Sequence, residues 1–147
     1  MTATQTRPGV EAGVKTRPQA LALAGFRIVF SFFFILHGCM GLFGAFGGVD
    51  GQGGSVSFPT FPDFWGSAIP FGAGILLLFG LFTRPVAILA SGAMAYAYFT
   101  VHAPMGLWPL QNGGELAAMF SWTWLLVALI GPGAFALDNL FQRRKVS

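Results

Sequence analysis

Residues 74–86 read Gly74-Ile75-Leu76-Leu77-Leu78-Phe79-Gly80-Leu81-Phe82-Thr83-Arg84-Pro85-Val86: an apolar run that halts at Thr-Arg-Pro and then resumes. Proline at the first position of a helix costs nothing, because the N–H it lacks would have no partner in the helix. The stretch therefore predicts two antiparallel apolar helices joined by a tight turn that carries one positive charge. Working outward, apolar runs occupy residues 21–46, 64–82, 86–101 and 116–130. Each is near the ~20 residues that a helix needs to cross ~30 Å of hydrocarbon.

Four spans leave both ends of the chain on one side. Arg7, Lys15 and Arg17 precede the first span, Arg84 lies between the second and third, and Arg143, Arg144 and Lys145 follow the fourth. The connections 47–63 and 102–115 contain no Lys or Arg. Basic residues accumulate in short cytoplasmic segments, so this asymmetry orients the chain with its tails and the Arg84 turn in the cytoplasm. The prediction is an all-α, polytopic four-helix membrane bundle with cytoplasmic N- and C-termini. Residues 1–19 form a disordered cytoplasmic tail, 20–141 the transmembrane domain and 142–147 a basic cytoplasmic tail.

Composition supports this. Charged residues make up 9% of the 147-residue chain and the mean hydropathy is +0.68, whereas a soluble domain carries about 25% charge. The net charge of +3 comes from residues bordering the membrane, where they meet anionic lipid, and no nucleic-acid partner is expected. Cys39 is the only cysteine, which rules out an internal disulfide or a cysteine-pair redox centre; it is expected as a buried thiol. The first twenty residues lack the apolar core of a signal peptide, so the first span is expected to remain as an uncleaved anchor.

Finer expectations follow along the chain. Arg27, about two turns inside the first span, is expected to snorkel to the headgroups. The glycines around Gln52 lack the strand and helix of a phosphate-binding loop, and the Phe58-Pro59, Phe61-Pro62 segment should lie on the membrane surface or over the bundle mouth. Ala87, Ser91 and Ala95 on the third span, with Gly72, Gly74 and Gly80 on the second, allow close helix packing. Trp65, Trp108, Trp122 and Trp124 fall toward the outer side, as in an interfacial belt, with Trp122 and Trp124 deep enough to line the bundle. After Gly131-Pro132-Gly133, the spacing of Phe135, Leu137, Leu140 and Phe141 predicts a short amphipathic helix on the cytoplasmic surface.

Ionisable side chains within spans are costly and hence functional candidates. His37 lies in the outer half of the first span, His102 closes the third, Glu115 opens the fourth, and Tyr98 shares the helical face of His102. These side chains are expected around one outer-facing pocket, with Trp122 beside it. Four readings fit. In the structural one, His37 donates to a carbonyl and Glu115 charges a helix N-terminus, where a carboxylate is favoured. In the second, His37, His102 and Glu115 hold and protonate a quinone headgroup, since imidazole titrates in a suitable range. In the third, the two histidines ligate haem, which requires equal depth, whereas His37 lies deeper. In the fourth, the two histidines and Glu115 bind zinc, but no tight local ligand spacing is present. No metal site is therefore expected.

These residues resemble the DoxX family of small four-helix membrane proteins. The resemblance runs from Arg27 into Leu36-His37-Gly38 and Leu42-Phe43-Gly44, through Gly74 to Arg84, to Val101-His102, Gly114-Glu115, Gly131-Pro132-Gly133 and Leu137-Asp138, covering residues 21–140. It implies a bundle in the bacterial plasma membrane and a link to respiratory or redox chemistry; some members form the membrane subunit of a thiosulfate:quinone oxidoreductase. His37, His102 and Glu115 match polar positions that recur in the family. Met40-Gly41-Leu42 stands where members often carry a Lys, and Pro70-Phe71-Gly72 replaces an early acidic residue.

The expected function is that of a membrane subunit or accessory factor in a redox or respiratory assembly, with protein partners in that complex. The alternative is a quinone-linked oxidoreductase subunit that uses the His/His/Glu pocket; quinone is the favoured candidate cofactor, with haem ranked below it. The Phe-rich first span is open to lipid, to a partner subunit or to a second copy of the chain. Solute transport lacks a continuous polar path, because the inner half offers only Ser91 and Arg27.

Overall fold

The structure, a computed structural model, describes residues 17–144. The expected tail over 1–19 lies outside the described residues as far as residue 16, as does the expected basic tail from residue 145. Among the described residues the fold is all-helical: α1 (Arg17–Phe43), α2 (Asp63–Phe79), α3 (Thr83–Ala97), the short α4 (Pro109–Asn112), α5 (Glu115–Ile130) and α6 (Leu137–Arg144). A π-helical turn, Tyr98–His102, and a 3₁₀ turn, Ala103–Met105, continue α3.

Among the described residues two helical stretches are long and apolar enough to cross a membrane: Arg17–Phe43, with 27 residues, and Thr83–Met105, with 23. α2 and α5 are apolar but have 17 and 16 residues, which at ~1.5 Å per residue gives about 25 Å each. The second apolar run is therefore shorter as a helix than its sequence extent. Gly80 takes a left-handed conformation (φ 65°) and stops α2, so Leu81 and Phe82 belong to the turn.

Helices α1 and α2 run antiparallel along a glycine seam. As α1 proceeds from Ile35 through Gly38 to Gly41, its closest partners on α2 recede from Gly74 through Phe71 to Ser67. A Cβ on Gly38 would sit 2.5 Å from the backbone nitrogen of Phe71, and one on Gly74 would sit 2.7 Å from the Ile35 side chain. In lipid, helix association rests on such close packing, because the surrounding tails are as apolar as the side chains. Gly74 thus serves the expected purpose, Gly80 instead meets Ala136 and the Arg27 guanidinium at the end of α2, and Gly72 does neither. It faces open space, and the closest approach is instead supplied by Gly38 and Gly41 of α1.

Helix α3 packs against α2 on one side and α5 on the other. Ala87, Ala90 and Ser91 are buried, and the Ser91 hydroxyl donates to the Ser121 carbonyl at 2.8 Å. This bond satisfies a polar group that lipid would leave unpaired. α1 meets α5 through an aromatic cluster in which Phe34 lies 4.8 Å from Phe120 and 5.3 Å from Trp124, ring centre to ring centre. Trp124 is wholly buried, whereas Trp122 is 73% exposed; of the two deep tryptophans only Trp124 lines the interior.

Arg27 corrects the snorkelling expectation. Its side chain is fully buried and its guanidinium turns inward to five backbone carbonyls. Nε donates to Pro132, one terminal nitrogen to Leu77 and Leu78, and the other to Ala134 and Phe135. Beside it, both carboxylate oxygens of Asp138 accept N–H groups at the start of α3, from Phe82 and Thr83, each at 2.8 Å. The last carbonyls of α2 and the first N–H groups of α3 have no partners within their own helices. One arginine and one aspartate supply them. The expected amphipathic helix after Gly133 does form as α6, and its Asp138 is the residue that caps α3.

Candidate functional site

At the end of the fold away from Arg27, α1, α2, α3 and α5 diverge around a cleft of about 770 Å³. α1 contributes His37, Met40 and Gly41; α2 contributes Gly66 and Ser67; α3 and its π turn contribute Met94, Val101 and His102; α5 contributes Leu116, Ala117 and Phe120. The chain between α1 and α2 forms the rim with Val56, Ser57 and Thr60.

That rim is built by local hydrogen bonds. Asp50 accepts the N–H groups of Gln52 and Gly54 through one carboxylate oxygen, each at 2.8 Å. These two donors hold its carboxyl below the usual carboxylate range. Gly48 and Gly54 form a backbone bridge, and a Cβ on Gly48 would lie 2.2 Å from the Gly54 carbonyl oxygen. The loop is then tied to α1 by the Val56 N–H, which donates to the Gly41 carbonyl at 2.8 Å. Gly44 and Gly48 serve close backbone contact with Gly53 and Gly54, while a Cβ on Gly51 would meet nothing. The Phe-Pro segment folds back, with Phe58 4.8 Å from Phe64 and Phe61 5.8 Å from Tyr96 between ring centres.

His37 and His102 line this one cleft from different helices. The His37 imidazole is half-buried, its ring centre 6.4 Å from that of Phe120, and among the described residues no side chain or carbonyl hydrogen-bonds to it. The structural reading of a His37–carbonyl bond is therefore not what forms. His102 is different. Its Nδ1 lies 3.1 Å from the Asn112 carbonyl oxygen; a carbonyl can only accept, so Nδ1 carries the proton and Nε2 keeps the lone pair in the neutral ring. Asn112 is itself fixed, donating to the Gly106 carbonyl and accepting from the Gly114 N–H, both at 2.8 Å. The π turn that carries His102 is a local widening of the helix of a type frequent at functional sites.

The other expected members lie outside the cleft wall. Glu115 is exposed and sits in the first turn of α5, where its charge suits the helix dipole. Tyr98 packs behind His102, close to Gly114, where a Cβ would lie 2.8 Å from the Tyr98 ring. Trp122 faces outward. Among the described residues no three His, Cys, Asp or Glu side chains gather as a metal would need, so the two histidines and Glu115 do not form the zinc set. Sequence reasoning missed Asn112, which orients His102, and the walls from Thr60, Ser67 and Phe120. The Asn112-Gly113 pair was the available signal, as a turn dipeptide.

Comparison with known proteins adds the lineage. The DoxX family profile matches residues 22–103. A Haemophilus influenzae protein described as uncharacterized is 41% identical over 133 residues, covering 88% of this chain and 96% of that protein. Inner membrane protein YqjF of Escherichia coli is 30% identical over 80 residues, covering 52% of this chain and 58% of that protein. No solved structure matches.

Proposed function

This chain is a membrane protein that belongs to the DoxX family, and from that premise we propose that it spans the bacterial plasma membrane as a four-helix bundle with cytoplasmic termini, serving as the membrane subunit of a redox assembly whose outer-facing cleft takes a quinone headgroup. The observation that carries the reading is the pairing of His37, which has no hydrogen-bond partner among the described residues, with His102, whose tautomer is set by the Asn112 carbonyl, in one cleft with largely apolar walls. A planar ring with hydrogen-bonding oxygens suits such a lining, since apolar walls exclude water while a few polar groups fix orientation.

In this reading His102 presents Nε2 toward the head and His37 presents either ring nitrogen. When bound, a quinone supplies two-electron, two-proton chemistry. In this reading the electron source is a partner subunit. Orientation rests on the distribution of Lys and Arg, which borders the Arg27 end and is absent from 47–63 and 102–115. α2 and α5 then span with their flanking loops, and a locally thinned bilayer accommodates short helices at a modest cost.

Equilibrium binding of a short benzoquinone to the purified protein in lipid nanodiscs tests the reading. Losing one hydrogen bond to the head should weaken binding roughly tenfold, about 1.4 kcal/mol, in His37→Leu and in His102→Leu. Unchanged affinity in both variants would refute the assignment.

A further inference from the structure

A second cavity of about 520 Å³ opens sideways between α1 and α5, and it meets the histidine-lined cleft at His37, Met40, Leu116 and Phe120, which line both. Its outer walls include Phe33 and Met119, 52% and 53% exposed, on faces that lipid covers in the proposed four-helix arrangement. We infer that this gap is a lateral portal that seats the single hydrocarbon tail of a lipid-soluble ligand whose head lies at His37 and His102, an inference that rests on the proposed quinone reading and specifies how the ligand enters and is held.

Three features support it. The lateral cavity is apolar apart from His37, so it suits an alkyl or isoprenoid chain and no polar solute. His37 stands where the two cavities join, which places a hydrogen-bonding group at the junction between head and tail. α1 and α5 touch through the Phe34–Phe120–Trp124 cluster, and the gap opens beyond it, toward the cleft. A smaller apolar groove of about 360 Å³ lies between α2 and α3 and borders the cleft at Gly66, Ala97 and Val101. It meets the cleft through no polar side chain, so it offers the head nothing at the junction.

The test compares a short benzoquinone with the same ring carrying a decyl tail, both radiolabelled, by equilibrium binding in phosphatidylcholine nanodiscs. Met119→Trp and, as a second plug of the same gap, Leu36→Trp should weaken binding of the tailed compound at least tenfold and leave the short one unchanged. Ile88→Trp, in the groove between α2 and α3, should change neither. Retained binding of the short compound shows that each variant is folded. Equal affinities of the plugged and native proteins for the tailed compound would overturn the portal and leave the head site standing. A loss shared equally by both compounds, or confined to Ile88→Trp, would also overturn it. Failure of the native protein to bind either compound would remove the quinone reading and the portal together.

Discussion

The Arg27 side chain donates from Nε to the carbonyl oxygen of Pro132 at 2.9 Å, joining residues 105 positions apart in sequence. The same guanidinium reaches Leu77 and Leu78 at the end of α2 and Ala134 and Phe135 after α5. A buried arginine is normally matched by a carboxylate, and Asp138 supplies the nearby negative charge. Here the hydrogen bonds themselves go to backbone carbonyls, of which Leu77 also accepts the Gly80 N–H at 3.1 Å, at chain ends where helices leave carbonyls without ladder partners. Three parts of the chain are therefore held by one side chain at the closed end of the fold, opposite the cleft.

Replacing Arg27 should expose the cost of that arrangement. Arg27→Gln leaves several buried carbonyls unpaired and should lower stability by about 3–5 kcal/mol, as when a buried charged network is broken. Arg27→Lys keeps the charge but offers a compact ammonium in place of a planar fork, so it should not restore the native melting temperature. Thermal unfolding in a mild detergent measures both; a lysine variant that melts like the native protein would refute the clamp.

The glycine seam predicts opposite outcomes for two glycines of similar sequence context. Gly38→Val drives a side chain into the backbone of Phe71, and overpacking of this kind costs about 1–3 kcal/mol or more. Gly72→Val meets nothing and should be neutral or slightly favourable, because valine loses less backbone freedom than glycine on ordering. Size-exclusion recovery and denaturation by detergent should show aggregation or early unfolding for the first variant only.

How much of this was legible in the sequence differs by element. The helices were, because apolar runs bounded by Thr83-Arg84-Pro85 and Gly131-Pro132-Gly133 leave few alternatives in lipid. The convergence of His37, His102, Glu115 and Tyr98 on one outer-facing pocket was an inference from their positions along the spans; His37 and His102 line one cleft, and Glu115 and Tyr98 do not. Glu115 and Trp122 were misplaced because helix rotation about its axis is set by packing, and α5 is apolar nearly all round, so no stripe in its sequence marks the buried face. Arg27 was misread for a related reason. Sequence shows a cation near the membrane boundary, but not that the carbonyls of Leu77 and Pro132, distant along the chain, converge on it.

Asp50 gives the rim of the cleft a pH dependence. Its carboxyl is held below the usual range by the N–H groups of Gln52 and Gly54, so it binds protons less readily in the folded loop than in the unfolded one. The stabilisation is then fully present above the unfolded value of about 3.9 and is lost as the pH falls through the lower folded value. Amide exchange at Gln52 and Gly54 should be slow at neutral pH relative to intrinsic rates and lose that protection in strong acid. Asp50→Ala should lose it at every pH, and an alanine variant with native protection would refute the role.

Asn112 links the loop at the cleft to the tautomer of His102. Its side chain is 4% exposed and joins the Gly106 carbonyl to the Gly114 N–H, while its main-chain carbonyl holds His102 Nδ1. Asn112→Leu keeps similar bulk but leaves both side-chain partners unpaired, which should cost about 1–3 kcal/mol of stability. Loosening of the loop should also free the Asn112 carbonyl, so that the His102 proton redistributes between its two nitrogens. Nitrogen-15 NMR of histidine-labelled protein should show His102 protonated at Nδ1 in the native chain and a mixture in the variant, with quinone affinity falling in parallel. A variant that keeps the native tautomer and affinity would show that Asn112 supports the loop alone.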